Sequence, residues 1–316
     1  MLDQSTHELL ARIALMYYEQ EMTQGSIADE LGISRIKVHR LLREAREREI
    51  VNISIDWPIQ RDHALEEALC AHFGLSQARV FMTGNDQPVS DLRILGQVCA
   101  RFMEDMLGRV SRLAICWGRS TYEVIHAIRP GLRANIQIVQ AIGSMPSSRG
   151  DFDSSMLARQ LAQKLGGQVI YLTSPLMADD ASAAQIIRSQ SSIQHTLSMA
   201  SSADIALLGI GQLDQSTSGF IREGLMSAEE LHDIVADGAV GDIAWRVFDA
   251  DGALYPCTLN DRIIGITLDD LRNIPITVGA ACGVSKARAI AGALRTGTIN
   301  VLCTDDRAAR AVLALG

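Results

Sequence analysis

The apolar positions change period near residue 50, and that change divides the chain. Before it they recur every three or four residues: Leu9, Leu10, Ile13 and Tyr17, then Ile27, Ala28 and Leu31, then Val38, Leu41, Leu42 and Ala45. Each set makes one apolar stripe along a helix, with Gly25 and Gly32 as punctuation. At Ile50 the pattern turns to alternation in VNISID, which predicts a strand, and Trp57 to Asp62 read as a short linker. Beyond the linker, helical and strand patterns alternate. Helices are predicted at 62–73, 89–109, 120–129, 154–165, 180–200, 227–236, 285–296 and 305–315. Strands are predicted at 78–82, 112–117, 135–142, 168–172, 204–210, 276–280 and 299–304. Several strands are near-continuous apolar runs, as when helices cover both faces of a parallel sheet. The expected architecture is a small all-α head at 1–57 joined to a larger doubly wound α/β domain at 58–316.

Composition narrows the function classes. The 316 residues are 47% hydrophobic and 21% charged, enough apolar material for a large core and too much for a disordered chain. No run reaches the ~18 uncharged apolar residues of a membrane span, and the first residues lack the basic start and cleavage site of a signal peptide. A cytoplasmic protein with no membrane partner is therefore expected. The net charge of −8 argues against nucleic-acid binding over the whole surface but leaves room for a local basic stripe. The six cysteines are scattered, with no C-x-x-C pair and no histidines at zinc spacing. They read as reduced, buried thiols, and neither a metal nor a cofactor is expected.

Residues 23–42 fit a helix-turn-helix. Counting from Gln24, Ala28 falls where two helices cross closely, Gly32 falls in the turn, and Val38 faces the apolar wedge. Ser34 sits where the second helix needs its N-cap. From Ser34 to Arg48 there are six basic residues against two acids. Arg35, His39, Arg43 and Arg46 recur at helical spacing and share a face. Such a helix suits the major groove, with its first side chains at base edges and the other cations on phosphates. Gln24, Ser34, Arg35, Lys37, His39, Arg40 and Arg43 are the candidate DNA contacts, with His39 meeting backbone or solvent. The competing reading is a three-helix bundle with a solvated charged face; the Ala, Gly and Val positions favour DNA. A double-stranded, near-palindromic operator read by a dimer is the expected partner.

In the larger domain the loops beyond the strand ends are where a ligand would bind. After RLAICW come Gly118, Arg119, Ser120 and Thr121. Ser120 is a possible N-cap, with Glu123 completing a capping box; the junction suits a phosphate or sugar oxygen, or is simply a good turn. After ITVGA come Cys282, Gly283, Val284, Ser285 and Lys286. Ser285 reads as an N-cap, which puts Lys286 in a helix's first turn, against the dipole. A bound anion would make that placement favourable; the alternative is a lysine reaching out to water. Gly209, in GIGQL, and Asp242, in GAVGDI, are candidates for the same cleft, Asp242 as an acceptor for sugar hydroxyls.

These segments together resemble the SorC family of bacterial sugar-responsive transcriptional regulators. The resemblance rests on TQGSIADELGISRIKVHRLL, GRST, GIGQL, GAVGDI and GVSKARAIAGALRTGTINVLCTD, and spans nearly the whole chain. It implies an effector domain with the fold of sugar-phosphate isomerases and deaminases, a sugar or sugar-phosphate effector, and a homotetramer or dimer. It also implies that Ser120 and Thr121 are phosphate-loop hydroxyls, Lys286 a phosphate-contacting lysine and Asp242 a hydroxyl-binding acid. Gly118, Gly143 and Gly283 complete the effector-binding candidates, although this chain has Gly143-Ser144 where many relatives have a glycine pair, and Arg119 fills a variable loop position. The expected function is thus a ligand-controlled DNA-binding regulator of a carbohydrate operon, with no catalytic residues. The alternative is a sugar-phosphate isomerase or deaminase carrying an accessory helical domain.

Overall fold

A computed structural model describes residues 4–48, 50–51, 57–84, 90–132, 135–145 and 154–316. Residues 1–57 and 58–316 form two compact units. Most of the strand expected in VNISID lies outside the described residues.

The first unit holds α1 (Gln4–Tyr18), α2 (Gln24–Leu31) and α3 (Arg35–Glu47). Their apolar stripes close on one another: Leu10, Ile13, Ile27, Ala28, Val38, Leu42 and Ala45 are all buried. Local chemistry sets the ends. Thr23 caps α2 by accepting from the Ser26 amide at 3.1 Å. Gly32 ends α2 in the left-handed region at φ 65°, a conformation open to glycine at no steric cost. Ser34 caps α3, accepting from the Lys37 amide at 3.2 Å.

The second unit runs α4 (His63–Phe73), β1 (Gln77–Phe81), α5 (Asp91–Leu107), β2 (Arg112–Ile115), α6 (Arg119–Ala127), β3 (Gln137–Gln140), α7 (Ser154–Leu165) and β4 (Gln168–Ile170). It continues with α8 (Ala181–Ser189), α9 (Ser191–Ser201), β5 (Ile205–Gln212), α10 (Gly219–Arg222), α11 (Ala228–Ala236), β6 (Ala239–Ile243) and β7 (Arg246–Asp249). It closes with α12 (Thr258–Arg262), α13 (Leu268–Arg272), β8 (Ile276–Ala280), α14 (Ala287–Arg295), β9 (Val301–Asp305) and α15 (Asp306–Leu313). The main sheet is parallel, in the order β1-β9-β8-β5-β2-β3-β4. Its central strands are largely apolar because both faces are covered; Leu113, Ile115, Ile205, Leu207 and Val278 are fully buried. After β2 the chain builds β3 and β4 on one side, then returns to the other side of β2 with β5. That reversal opens a crevice at the C-terminal ends of β2 and β5.

Several expectations need correction. The helix predicted at 180–200 is two helices, broken at Gln190, whose backbone is extended (φ −66°, ψ 133°). The break falls in Ser-Gln-Ser-Ser, where the serines are poor helix formers whose hydroxyls compete for backbone groups; Ser189 Oγ donates to the Ile186 carbonyl in the last turn of α8. The supposed linker is partly sheet. Asp62 donates to the Val80 carbonyl and Met82 to the Gln60 carbonyl, both at 2.9 Å, so residues 60–62 cover the open edge of β1. The hairpin of β6 and β7 was not foreseen. Its turn, Ala244-Trp245, has φ 51° and 64°, a geometry whose usual sequence signal is Asn-Gly or Asp-Gly.

Replacing Gly32 by valine should lower the stability of the first unit by about 1–2 kcal/mol, because a β-branched residue is strained at that φ. Thermal unfolding followed by helix signal would measure it; an unchanged midpoint would show that the turn tolerates a side chain.

Candidate functional site

The first unit presents a basic helix face. Val38, Leu41, Leu42 and Ala45 bind α3 to the core, which turns Arg35, Lys37, His39, Arg40, Arg43 and Arg46 outward, all exposed. Ser34 is exposed at the start of α3 while serving as its cap, and Gln24 is half-buried at the start of α2. Arg48 pairs with Glu44 at 2.6 Å.

In the second unit a cleft opens at the sheet's reversal. Its walls include Gly118, Arg119 and Ser120 after β2, Gly209 to Gln212 of β5, Asp242 of β6, and Lys286 before α14. The space amounts to about 90 Å³, several times the ~15 Å³ one water requires. Five of the eight sequence-predicted effector residues meet here: Gly118, Ser120, Gly209, Asp242 and Lys286. The other three stand behind the wall. Thr121 is fully buried, its hydroxyl without a partner. Gly143 packs on Pro175 and its carbonyl accepts from Trp117 Nε1 at 3.3 Å. Gly283, at φ 99°, donates its amide to Asp305 Oδ2 at 2.5 Å.

Both predicted caps are displaced. The residue before α6 is Gly118, and Ser120 lies within the first turn without capping, so no Ser120–Glu123 capping box forms. Ser285 lies inside a short 3-10 turn, Val284–Lys286, that begins after Gly283. In each junction the glycine takes the entry position, so the hydroxyl moves into the helical turn. Ser120 lines the cleft from that first turn.

Asp242 is positioned by register. β6 runs antiparallel to the end of β5, opposing Asp242 to Gly211. A Cβ on Gly211 would fall 1.8 Å from Asp242 Oδ1, so the carboxylate occupies the space a side chain would need. Burial raises the Asp242 pKa to about 6, against the opposing pull of the Lys286 ammonium and the donated Trp245 amide. Lys286 does not reach out to water. It points inward and donates to the Ile210 carbonyl at 2.6 Å. Burial pushes its pKa down, partly offset by Cys282 and Asp242. An ammonium has three donors, which leaves two for a ligand.

Sequence reasoning missed much of the remaining wall. Trp245 packs against Trp117 (centroids 4.8 Å) and Phe220 (5.0 Å), and Gly219 leaves room for its ring. Arg222 lines the cleft from α10 and pairs with Glu223 at 3.1 Å. Gln212 donates to Thr217 Oγ1 at 2.6 Å, and its own carbonyl oxygen is buried without a partner. Arg119, a variable position in the family pattern, lines the cleft as well. No motif marks α10 or the Trp245 turn, so nothing in the sequence pointed to them. Among the described lining residues Asp242 is the sole carboxylate and no histidine is present. Proton transfer in both directions usually needs a second such group. Hydroxyl, amide and cationic donors beside one acid suit holding a polyhydroxy anion.

A helix-turn-helix unit together with a cation-lined crevice at a sheet reversal suits a DNA-binding regulator with a sensing domain. Residues 58–314 match the family described as "Putative sugar-binding domain", and residues 11–48 match "Sigma-70, region 4". The chain is 32% identical over 314 residues to the transcriptional regulator LsrR of Klebsiella pneumoniae, covering 98% of this chain and 93% of that one. It is 30% identical over 312 residues to the deoxyribonucleoside regulator of Bacillus subtilis, covering 99% of each. The full-length sorbitol operon regulator SorC of Klebsiella pneumoniae superposes with a TM-score of 0.72 at 28% identity, over 98% of this chain and 100% of that one. The chain belongs to the SorC family of sugar-responsive transcriptional regulators. The regulator reading therefore stands over the isomerase or deaminase alternative. Among the described residues no helix is long and apolar enough to cross a membrane.

The Asp242 carboxyl gives a pH test. Its native pKa lies above the unfolded value of 3.8, so the native state holds the proton more tightly. Ionisation then costs stability progressively from about pH 4 to 6, and the full cost persists above. The stability of Asp242→Asn relative to wild type should therefore rise over that window, by up to about 3 kcal/mol, and level off. Urea unfolding at several pH values measures this; a flat difference would show that burial does not hold the proton.

Proposed function

We propose that α3 enters the major groove of a double-stranded operator. Arg35, Lys37, His39, Arg40 and Arg43 would face bases and phosphates, with Ser34 and Gln24 at the phosphate backbone. The exposed basic stripe supports this reading, together with the capped turn that holds α3 against α2. The cleft takes a sugar or sugar phosphate. In this reading Lys286, Ser120 and the first-turn amides of α6 hold the anionic or oxygen-rich end, and Asp242 accepts from hydroxyls. Gly118 and Gly209 leave room for the ligand, while Thr121, Gly143 and Gly283 set the shape of the loops around it. The observation that carries the proposal is the convergence of Asp242 and Lys286 on the crevice between β2 and β5. The names of relatives, a sorbitol operon regulator and a deoxyribonucleoside regulator, favour a carbohydrate effector.

The ligand acts by differential affinity for two arrangements of a cytoplasmic homodimer or tetramer that hold the DNA-binding heads at different spacings. A thermal-shift screen against sugars, sugar alcohols and their phosphates identifies the effector class; stabilisation by none of them would remove the cleft assignment.

Two variants separate the functions. Arg35→Ala combined with Arg40→Ala should abolish specific DNA binding in a mobility-shift assay while leaving the effector's thermal shift intact. Lys286→Ala should weaken an anionic effector by about 1.5–3 kcal/mol, the range for a hydrogen bond to a charged group. Calorimetry showing equal affinity would take Lys286 out of the site.

A further inference from the structure

Ile36 is 81% exposed, the most exposed large apolar side chain among the described residues. It does not lie at a ragged terminus. It is the second residue of α3, in the first turn beyond the Ser34 cap. Buried Val38, Leu41, Leu42 and Ala45 fix which side of α3 faces the core. Helical geometry places 36, 40 and 43 on the opposite side, one above the other. Ile36 thus stands at the leading end of the outermost stripe, ahead of Arg40 and Arg43 and between exposed Arg35 and Lys37. Those four cations suit the polyanionic walls of a groove; an isoleucine among them has no use for phosphate. The major groove offers one apolar feature, the thymine 5-methyl group.

We propose that Ile36 is a specificity-determining residue, packing its side chain against a thymine methyl in each operator half-site. The proposal rests on the reading of α3 as the groove-entering helix. It goes beyond it by assigning a base identity to one contact. Arg40 and Arg43 hold the helix in register, and Ile36 selects thymine over cytosine by burying a methyl that cytosine lacks.

The test uses the full chain and a pool of duplexes with a randomised central segment. Repeated retention and amplification yields the preferred sequence. Each thymine of that sequence is then replaced singly by deoxyuridine, which removes the methyl and nothing else. Wild-type protein should bind about three- to fivefold more weakly when one particular thymine per half-site is replaced, the effect of losing one buried methyl. Ile36→Ala should bind thymine and deoxyuridine duplexes equally at that position, and Ile36→Val should keep part of the difference. An exposed side chain is removed, so unchanged helix signal and melting temperature confirm that the variants fold. If the variant discriminates thymine as wild type does, or if no thymine matters to wild type, the proposal is overturned while DNA binding stands. If no duplex is enriched, the groove-entering reading of α3 fails, and this proposal with it.

Discussion

The cleft depends on a carboxylate lying where a side chain would otherwise be. Asp242 rests over Gly211 because β6 returns antiparallel along the end of β5. With no Cβ beneath it, the carboxylate lies close against β5 and within the field of Lys286. Lys286 is drawn in from the other side, its ammonium tied to the carbonyl of Ile210 on the same strand. Acid and base thus hang on adjacent residues of β5, and both sense burial: the acid holds its proton more tightly and the lysine less. A ligand that brings hydroxyl donors to one and an anion to the other relieves both desolvation costs, which is how such a pocket acquires selectivity.

The turn of the hairpin ties this pair to an aromatic wall. Ala244 and Trp245 both adopt positive φ without glycine, a conformation with a cost that the surroundings must offset. The Trp245 ring does so by packing on Trp117 and Phe220, and its amide donates to Asp242. Trp117 in turn donates to the Gly143 carbonyl. The loop after β2, the loop after β3 and the hairpin are therefore mechanically linked. A displacement of any one of them bears on the other two.

The two units were legible in the sequence to different depths. In the first, nearly every candidate position follows from neighbours within four residues. The Ser34 cap, the Gly32 turn, buried Ala28 and Val38 and the outward arginines are all where helical spacing puts them. In the second, Asp242 and Lys286 were visible through their glycine-flanked loops and family pattern. Ser120 and Ser285 were misplaced as caps, because hydroxyl spacing cannot tell whether a glycine ahead of it starts the turn. Arg222 and Trp245 carried no signal, since they reach the cleft from a four-residue helix and a turn without turn residues.

The sequence alone determined the long helices and the strands of the main parallel sheet, that a basic helix stands near the start, and which loops hold polar chemistry. These are consequences of short-range periodicity and capping, which act within a few residues. Only the tertiary structure decided that Asp242 lies against Gly211 within the field of Lys286, that the lysine turns inward, and that two tryptophans wall the site. Those outcomes depend on strand order and register, set by how the whole sheet buries its two faces, and no local pattern encodes them.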